Sequence, residues 1–234
     1  MQKIAPPRSI PEPAVVFEHQ DFVVLNKPAG YSVQELSKHY QAYFAHFHPV
    51  HRLDKDTSGL WLIAKTALAN QQLSQAFLHQ AVSKHYLAIV HGGKRLKKKQ
   101  GWIVGDMQKS RRKAWRLLAS RQNPATTYFE TMPLPANDGL PLAARLAYLQ
   151  PLSGKTHQLR VAMKANGSPI LGDDIYRSTQ TLVSDRLYLH AYKLIFSYDG
   201  EPFDIQAWPS QGEYFLIPAL QKRLQGFEPR PVHR

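Results

Sequence analysis

The densest chemistry in this chain lies in the stretch HRLDKDTSGL, residues 51–60. Asp54 is flanked by Arg52 and Lys55 and followed by the hydroxyls of Thr57 and Ser58. Opposite charge and hydrogen bonds to the ionised form both lower a carboxylate pKa. A carboxylate kept ionised in a preformed turn can act as nucleophile, base or electrostatic stabiliser. Gly59 allows a close backbone approach or a dihedral that other residues avoid. The same residues also suit a plain Asx or Ser/Thr turn closed by its own hydrogen bonds. Two further chemistries compete for this region. Asp54 and Asp56 could form the acid–base pair of a glycoside hydrolase, although strand alternation would set them closer than a water-using pair needs. His39, His46, His48 and His51 could hold a metal, but no cysteine and no H-E-x-x-H spacing accompanies them.

A second concentration of charge follows. From Lys94 to Arg116, ten basic residues, among them Lys97, Lys98, Lys99, Arg111 and Arg112, stand against the single acid Asp106, with Trp102 and Trp115 between them. Lysine and arginine neutralise phosphates and an interleaved aromatic can stack on an unpaired base, so the pattern reads as nucleic-acid binding. A solvated charged hairpin is the plainer alternative. The whole chain of 234 residues has a formal net charge of +13, which favours a polyanionic partner. The absence of cysteine excludes disulfides and thiolate metal sites and suits a reducing compartment. No apolar run approaches the ~18 residues that span a bilayer, and the start, MQKIAPPRSIPEP, lacks an export signal's apolar centre. The expectation is a soluble, cytoplasmic protein, a monomer by default, with no membrane contact and no metal.

These residues need a frame to hold them. Residues 1–13, with four prolines, read as a flexible or extended tail, and a single domain is expected over 14–234. AVVFEH and DFVVLNKPAG read as strands, Gln34 to Phe47 as a helix, LWLIA as a short strand, and Thr66 to about Ser83 as a second helix with Ala69, Leu73, Ala76, Phe77 and Gln80 on one face. HYLAIVHG, GWIVGDM, AWRLLA, ATTYFETM and LAARLAYLQ follow as strands. A helix is expected from Thr156 to Asn166, stopped by Gly167 and Pro169. LYLHAYKLIFSY and PFDIQAW add strands, and EYFLIPALQKRL closes as a helix. Strands cluster instead of alternating with helices, which predicts an α+β domain with a mainly antiparallel mixed sheet flanked by helices and loops.

HRLDKDTSGLWLIAK at 51–65 resembles the signature of the RluA family of RNA pseudouridine synthases. LNKPAG at 25–30, KHYLAIV at 84–90, PLSGKTHQLRVAMKANGSPILGDDIY at 151–176 and RLYLHAYKLIF at 186–196 resemble further family blocks in the same order. The resemblance implies a pseudouridine-synthase-type fold and isomerisation of uridine to pseudouridine within ribosomal or transfer RNA, without cofactor or metal. It implies Asp54 as the sole catalytic carboxylate, Arg160 as its basic partner and Tyr86 as the aromatic against the uracil, whose hydroxyl could also move a proton. Leu189 would line the base pocket, and Arg52 would fill the gap left by a flipped uridine. His51 joins the RNA-contacting set, and Asp56 keeps only a structural role. Lys155 and Ala162 depart from the residues common at their positions, Arg and His. The chain begins at the catalytic domain with no S4-type RNA-binding module, so the basic segment, with Lys97, Lys98, Lys99, Arg111 and Arg112, is expected to clamp the RNA backbone. A non-catalytic RNA-binding factor on the same fold is the alternative.

Overall fold

A computed structural model describes residues 9–93, 95–110, 114–135, 139–140, 143–176 and 184–226. Arg111 and Arg112 lie outside the described residues. Two strands open the chain, β1 (Val15–Glu18) and β2 (Phe22–Lys27), the latter an apolar run buried at nearly every position. Ahead of them Ser9 accepts the Tyr31 hydroxyl through its carbonyl and Ile10 packs on the core, so the end of the proline-rich tail lies against the domain.

Helix α1 (Val33–Tyr40) starts at a capping box in which Ser32 and Glu35 bond each other's backbone N–H. It ends seven residues before the expected Phe47. The aromatic spacing beyond Tyr40 reflects burial and not a helix: Phe44 meets Phe47, whose ring lies 5.5 Å from that of Trp61. Short β3 (His48–Pro49) and fully buried β4 (Ser58–Ala64) follow. Helix α2 (Ala67–Leu78) is capped by the Thr66 hydroxyl. It stops short of Ser83 because the chain reverses at Gln80, whose φ is +58°, and Ser83 already belongs to the next strand.

Strands β5 (Ser83–His91), β6 (Gln100–Gly105), β8 (Trp115–Leu117), β9 (Ala125–Pro133) and β10 (Ala144–Pro151) fall on the expected segments, whereas β7 (Met107–Lys109) is not among them, since the single strand read over GWIVGDM ends at Gly105. Then come α3 (Gln158–Ala165), β11 (Leu189–Tyr198), β12 (Glu201–Gln206) and α4 (Pro218–Gln225). Ten strands form one mixed sheet in the order β1-β2-β4-β11-β5-β10-β9-β6, with β12 on β11 and β3 on β4, while β7 and β8 make a separate hairpin. The fold is α+β, as predicted. Among the described residues no helix is long and apolar enough to cross a membrane.

The parallel contact of β4 with β11 occupies the centre of the sheet, where Ser58 and Gly59 pair with His190 and Ala191. Gly59 has φ +114°, and a Cβ there would stand 2.2 Å from the Ala191 carbonyl oxygen. Only glycine permits this approach. Thr57 closes the turn that carries Asp54, its N–H donating to the Asp54 carbonyl at 3.1 Å, while Ser58 and Gly59 lie in the strand after it.

Candidate active site

Residues 51–57 form an irregular loop secured at both ends. At its start, the His51 carbonyl accepts the Trp61 indole N–H at 3.1 Å and His51 Nε2 accepts Leu62 N–H at 3.0 Å. The imidazole stacks on Phe77 at 4.5 Å. Burial, reinforced by the charge of Lys84, pulls its pKa down to about 3 and keeps it neutral. His51, partly buried, thus anchors the loop while also lining the cleft that Asp54 faces. Beyond Asp54, the Lys55 carbonyl accepts both Gly30 N–H at 3.0 Å and the Lys27 ammonium at 3.1 Å. Lys27 is fully buried and also donates to the carbonyls of Pro28 and Tyr31, each at 2.8 Å. Burial draws its pKa down to about 7, opposed chiefly by Asp56, yet three carbonyl acceptors are satisfied in full only by the three donors of an ammonium. The LNKPAG turn is thereby a clamp on the loop that carries Asp54. Asp56 itself is exposed.

The β4–β11 junction beneath this loop is locked by a chain of hydrogen bonds. The Arg186 guanidinium donates to Ser58 Oγ at 2.6 Å, and Ser58 lies 2.7 Å from His190 Nδ1. His190 Nε2 meets the Ala207 carbonyl at 2.9 Å, and a carbonyl only accepts. The proton therefore sits on Nε2, and the Ser58 hydroxyl donates to Nδ1.

Asp54 faces a cleft of about 550 Å³, whose wall includes Arg52, Lys84, Tyr86, Arg160 and Leu189. That volume falls in the range of pockets for small organic groups, a single nucleoside included. Among the described residues lining it, Asp54 is the one carboxylate, so a paired-carboxylate mechanism has no second member here. Arg52 is exposed in the cleft wall. Leu189, 2% exposed, begins β11 opposite Ala88 of β5. Tyr86 of β5 sits between Leu149 and Ala191 on the neighbouring strands. Burial, with a smaller contribution from the Asp54 charge, raises the pKa of its phenol and keeps it protonated.

Arg160 projects from the first turn of α3 and is 4% exposed. Its Nη1 is 4.0 Å from Asp54 Oδ2, the outer limit of an ion pair. Its principal partner, which sequence reasoning missed, is Asp173. Nε and Nη2 each donate to an Asp173 carboxylate oxygen at 2.8 Å, and Asp173 Oδ1 also accepts the N–H groups of Ile175 and Tyr176 at 3.0 and 2.9 Å. Burial would lower the pKa of Arg160, and the Asp173 carboxylate overrides it, leaving the guanidinium firmly charged. Such a two-pronged arginine–carboxylate pair fixes orientation as well as charge, so the cation is aimed at Asp54 without being neutralised by it. The visible signal for Asp173 was the GDD run inside the third motif.

His157 caps α3 in the left-handed conformation and lines the same cleft. Burial, then the charge of Arg160, lowers its pKa. Lys84, another cleft residue not anticipated, bonds the Ser153 carbonyl at 3.4 Å and has a pKa lowered by burial.

The basic segment packs on the far end of α3. Lys97 N–H donates to the Asn166 carbonyl at 2.9 Å, Asn166 brackets the Lys98 backbone with both side-chain atoms, and Thr131 holds the Lys99 carbonyl. The three lysine side chains are exposed on this tethered arm. At 1.5 Å of rise per residue, Asn166 lies about 9 Å along the helix axis from Arg160. Trp102 departs from the expected pattern. It pairs with Tyr128, which pairs with Gln150, whereas Tyr86 pairs with Leu149 next door. Adjacent strand residues face opposite sides, so Trp102 lies on the sheet face away from Tyr86, against Tyr128 at 5.3 Å.

A family described as RNA pseudouridylate synthase matches residues 21–165. A Haemophilus influenzae protein named "Uncharacterized RNA pseudouridine synthase" is 40% identical over 226 residues, covering 93% of this chain and 96% of its own. A Pasteurella multocida protein named "Dual-specificity RNA pseudouridine synthase RluA" is 34% identical, covering 79% of this chain and 88% of its own. Among solved structures, that titled "Human RNA Pseudouridylate Synthase Domain Containing 1" superposes with a TM-score of 0.77 at 25% identity, covering 97% of this chain and 100% of that one.

Proposed function

The chain belongs to the RNA pseudouridylate synthase family, isomerases that convert uridine to pseudouridine in RNA, and from that premise we propose that Asp54 is its catalytic carboxylate. The observation that carries the proposal is a solitary described carboxylate facing a nucleoside-sized cleft, with a fixed guanidinium 4.0 Å away. The reaction breaks the bond from uracil N1 to C1′ and forms one from C5 to C1′, so the C5 proton must leave and N1 must gain one. No water is consumed and the base is not released, which is why one carboxylate suffices where a glycosidase needs two.

In this reading the target uridine leaves the RNA stack and enters the cleft, and Arg52 occupies the vacated position with its planar guanidinium. Tyr86 and Leu189 hold the uracil between an aromatic and an aliphatic wall. Tyr86, protonated, supplies or relays a proton, and Arg160, 4.0 Å away, aims Asp54. The lysine arm and the basic hairpin grip phosphates on either side of the α3 helix. The substrate is a folded cellular RNA, ribosomal or transfer, and the protein acts as a monomer in the cytoplasm, which suits a chain without cysteine.

The test is release of tritium from bulk transfer and ribosomal RNA labelled at uridine C5. Release from either pool is expected. RNA that binds but loses no tritium from any pool would instead indicate a binding factor on this fold.

A further inference from the structure

The basic hairpin and the cleft meet at one side chain, Tyr176. Its hydroxyl oxygen accepts the Trp115 N–H of β8 at 2.8 Å and lies 3.0 Å from His157 Nδ1. A phenol has one proton to give, and the amide already uses an oxygen lone pair. The hydroxyl therefore meets His157 Nδ1 as donor or acceptor, and in either tautomer the contact ties that imidazole of the cleft wall to the hairpin. The Arg160 guanidinium lies over the same ring, 5.3 Å from its centre. The Tyr176 backbone N–H is bound by Asp173, the carboxylate that grips Arg160. One residue thus touches the hairpin, a cleft histidine and the cation that faces Asp54.

The hairpin needs such an attachment. Strands β7 and β8 pair only with each other among the described strands, through Met107–Leu117, Gln108–Arg116 and Lys109–Trp115. Arg116, on the exposed side, reaches across the hairpin to Gln108. An ordinary buried tyrosine that merely satisfies its hydroxyl would not be expected to join two functional elements and stack beneath the principal cation.

We propose that Tyr176 is a positioning residue that couples RNA held on the β7–β8 hairpin to the geometry of Arg160 and His157 in the cleft. The inference rests on the proposed function and adds to it a route by which phosphate grip and catalytic geometry share free energy. RNA that steadies the hairpin steadies the Trp115 amide, hence the phenol, hence the ring beneath Arg160. Tyr176→Phe severs the links to Trp115 and His157 and leaves the ring beneath Arg160 in place.

The experiment is a two-by-two set of wild type, Tyr176→Phe, Arg116→Ala and the double variant. Pseudouridine formation is followed at varied concentrations of an RNA that the wild type modifies, and thermal melts verify folding. Tyr176→Phe should raise KM about five-fold, the worth of one net hydrogen bond, and any fall in kcat then reports the Arg160 and His157 side of the link. Arg116→Ala should raise KM too, and in the double variant the two effects should overlap instead of multiplying. An unchanged KM in folded Tyr176→Phe, or effects that multiply, would overturn the proposal. A wild type inert on every RNA defeats the proposed function instead, and RNA affinity then replaces KM in the same set. Should Tyr176→Phe not fold, amide exchange of wild-type Trp115 decides: slower exchange with RNA bound supports the coupling, and equal exchange with and without RNA refutes it.

Discussion

Asp173→Asn preserves the shape of a side chain while removing the charge opposite Arg160. The side chains of Arg160 and Asp173 are 5% and 0% exposed, so water cannot take the place of the lost charge. Removing one partner of a buried pair costs about 3–5 kcal/mol. Part of this is recoverable. Asp54 Oδ2 stands 4.0 Å from Nη1, where two unit charges attract by roughly 4 kcal/mol at an effective dielectric of 20, before desolvation. The guanidinium is therefore expected to swing onto Asp54, which places the net loss near the lower bound, about 3 kcal/mol. For a domain of this size each kcal/mol moves Tm by about 2–4 °C, giving a fall of roughly 6–12 °C by circular dichroism. Activity should suffer more than stability suggests. A displacement of about 1 Å at a catalytic centre is worth roughly 100-fold in rate, and here the displaced cation also covers the carboxylate. Pseudouridine formation at saturating RNA measures this loss. A variant that melts with the wild type and turns over at its rate would refute the assignment of Asp173 as the group that aims Arg160.

Replacing Lys97, Lys98 and Lys99 together with Ala should lower the slope of log affinity against log salt by about 2–3, the value of three phosphate contacts; an unchanged slope would remove the arm from the RNA path. Tyr86→Phe should leave KM within about two-fold and reduce kcat by roughly 100-fold, the lower end for a proton-transfer group. An unaltered kcat would leave that ring a packing role only. Burial holds His51 and His190 at a pKa of about 3 and His85 at about 4, below their ordinary 6.5. The unfolded chain takes up those protons as pH falls through 6.5 and the folded one does not, so the stability they confer is complete above that pH and declines towards pH 4. The decline is about 1.4 kcal/mol per histidine per pH unit. Urea midpoints at pH 7, 6 and 5 check it, and equal midpoints at pH 7 and 5 would contradict it.

What was legible in the sequence follows from what is local. Runs such as FVVLN, LWLIA and YLAIV are apolar because both sheet faces are covered, and they mark β2, β4 and β5 directly. The reach of α1 was overestimated because Phe44 and Phe47 keep a helical spacing while packing from a loop. Asp54, Tyr86, Arg160 and Leu189 were visible through the motifs that contain them, and the fold brings them to one cleft. Asp173 lies in the same third motif, but its role was hidden, because its partnership with Arg160 exists only after the chain has turned back at Gly172, whose φ of +73° and contact with the Arg186 carbonyl admit no side chain. Lys27 escaped notice for a different reason: a lysine is read as a surface residue, and its burial depends on three carbonyls gathered by two separate turns. The side of the sheet taken by Trp102 depends on strand register, which composition does not encode.

The central claim, that Asp54 performs the chemistry, is tested most directly by Asp54→Asn in a single-turnover assay, with enzyme in excess over an RNA that the wild type modifies. The substitution keeps the size of a side chain that is 20% exposed and breaks one long ion pair, so folding and RNA affinity should hold close to the wild type. Pseudouridine should then fail to form at any time point. Formation at the wild-type rate would contradict the account and move the chemistry away from Asp54.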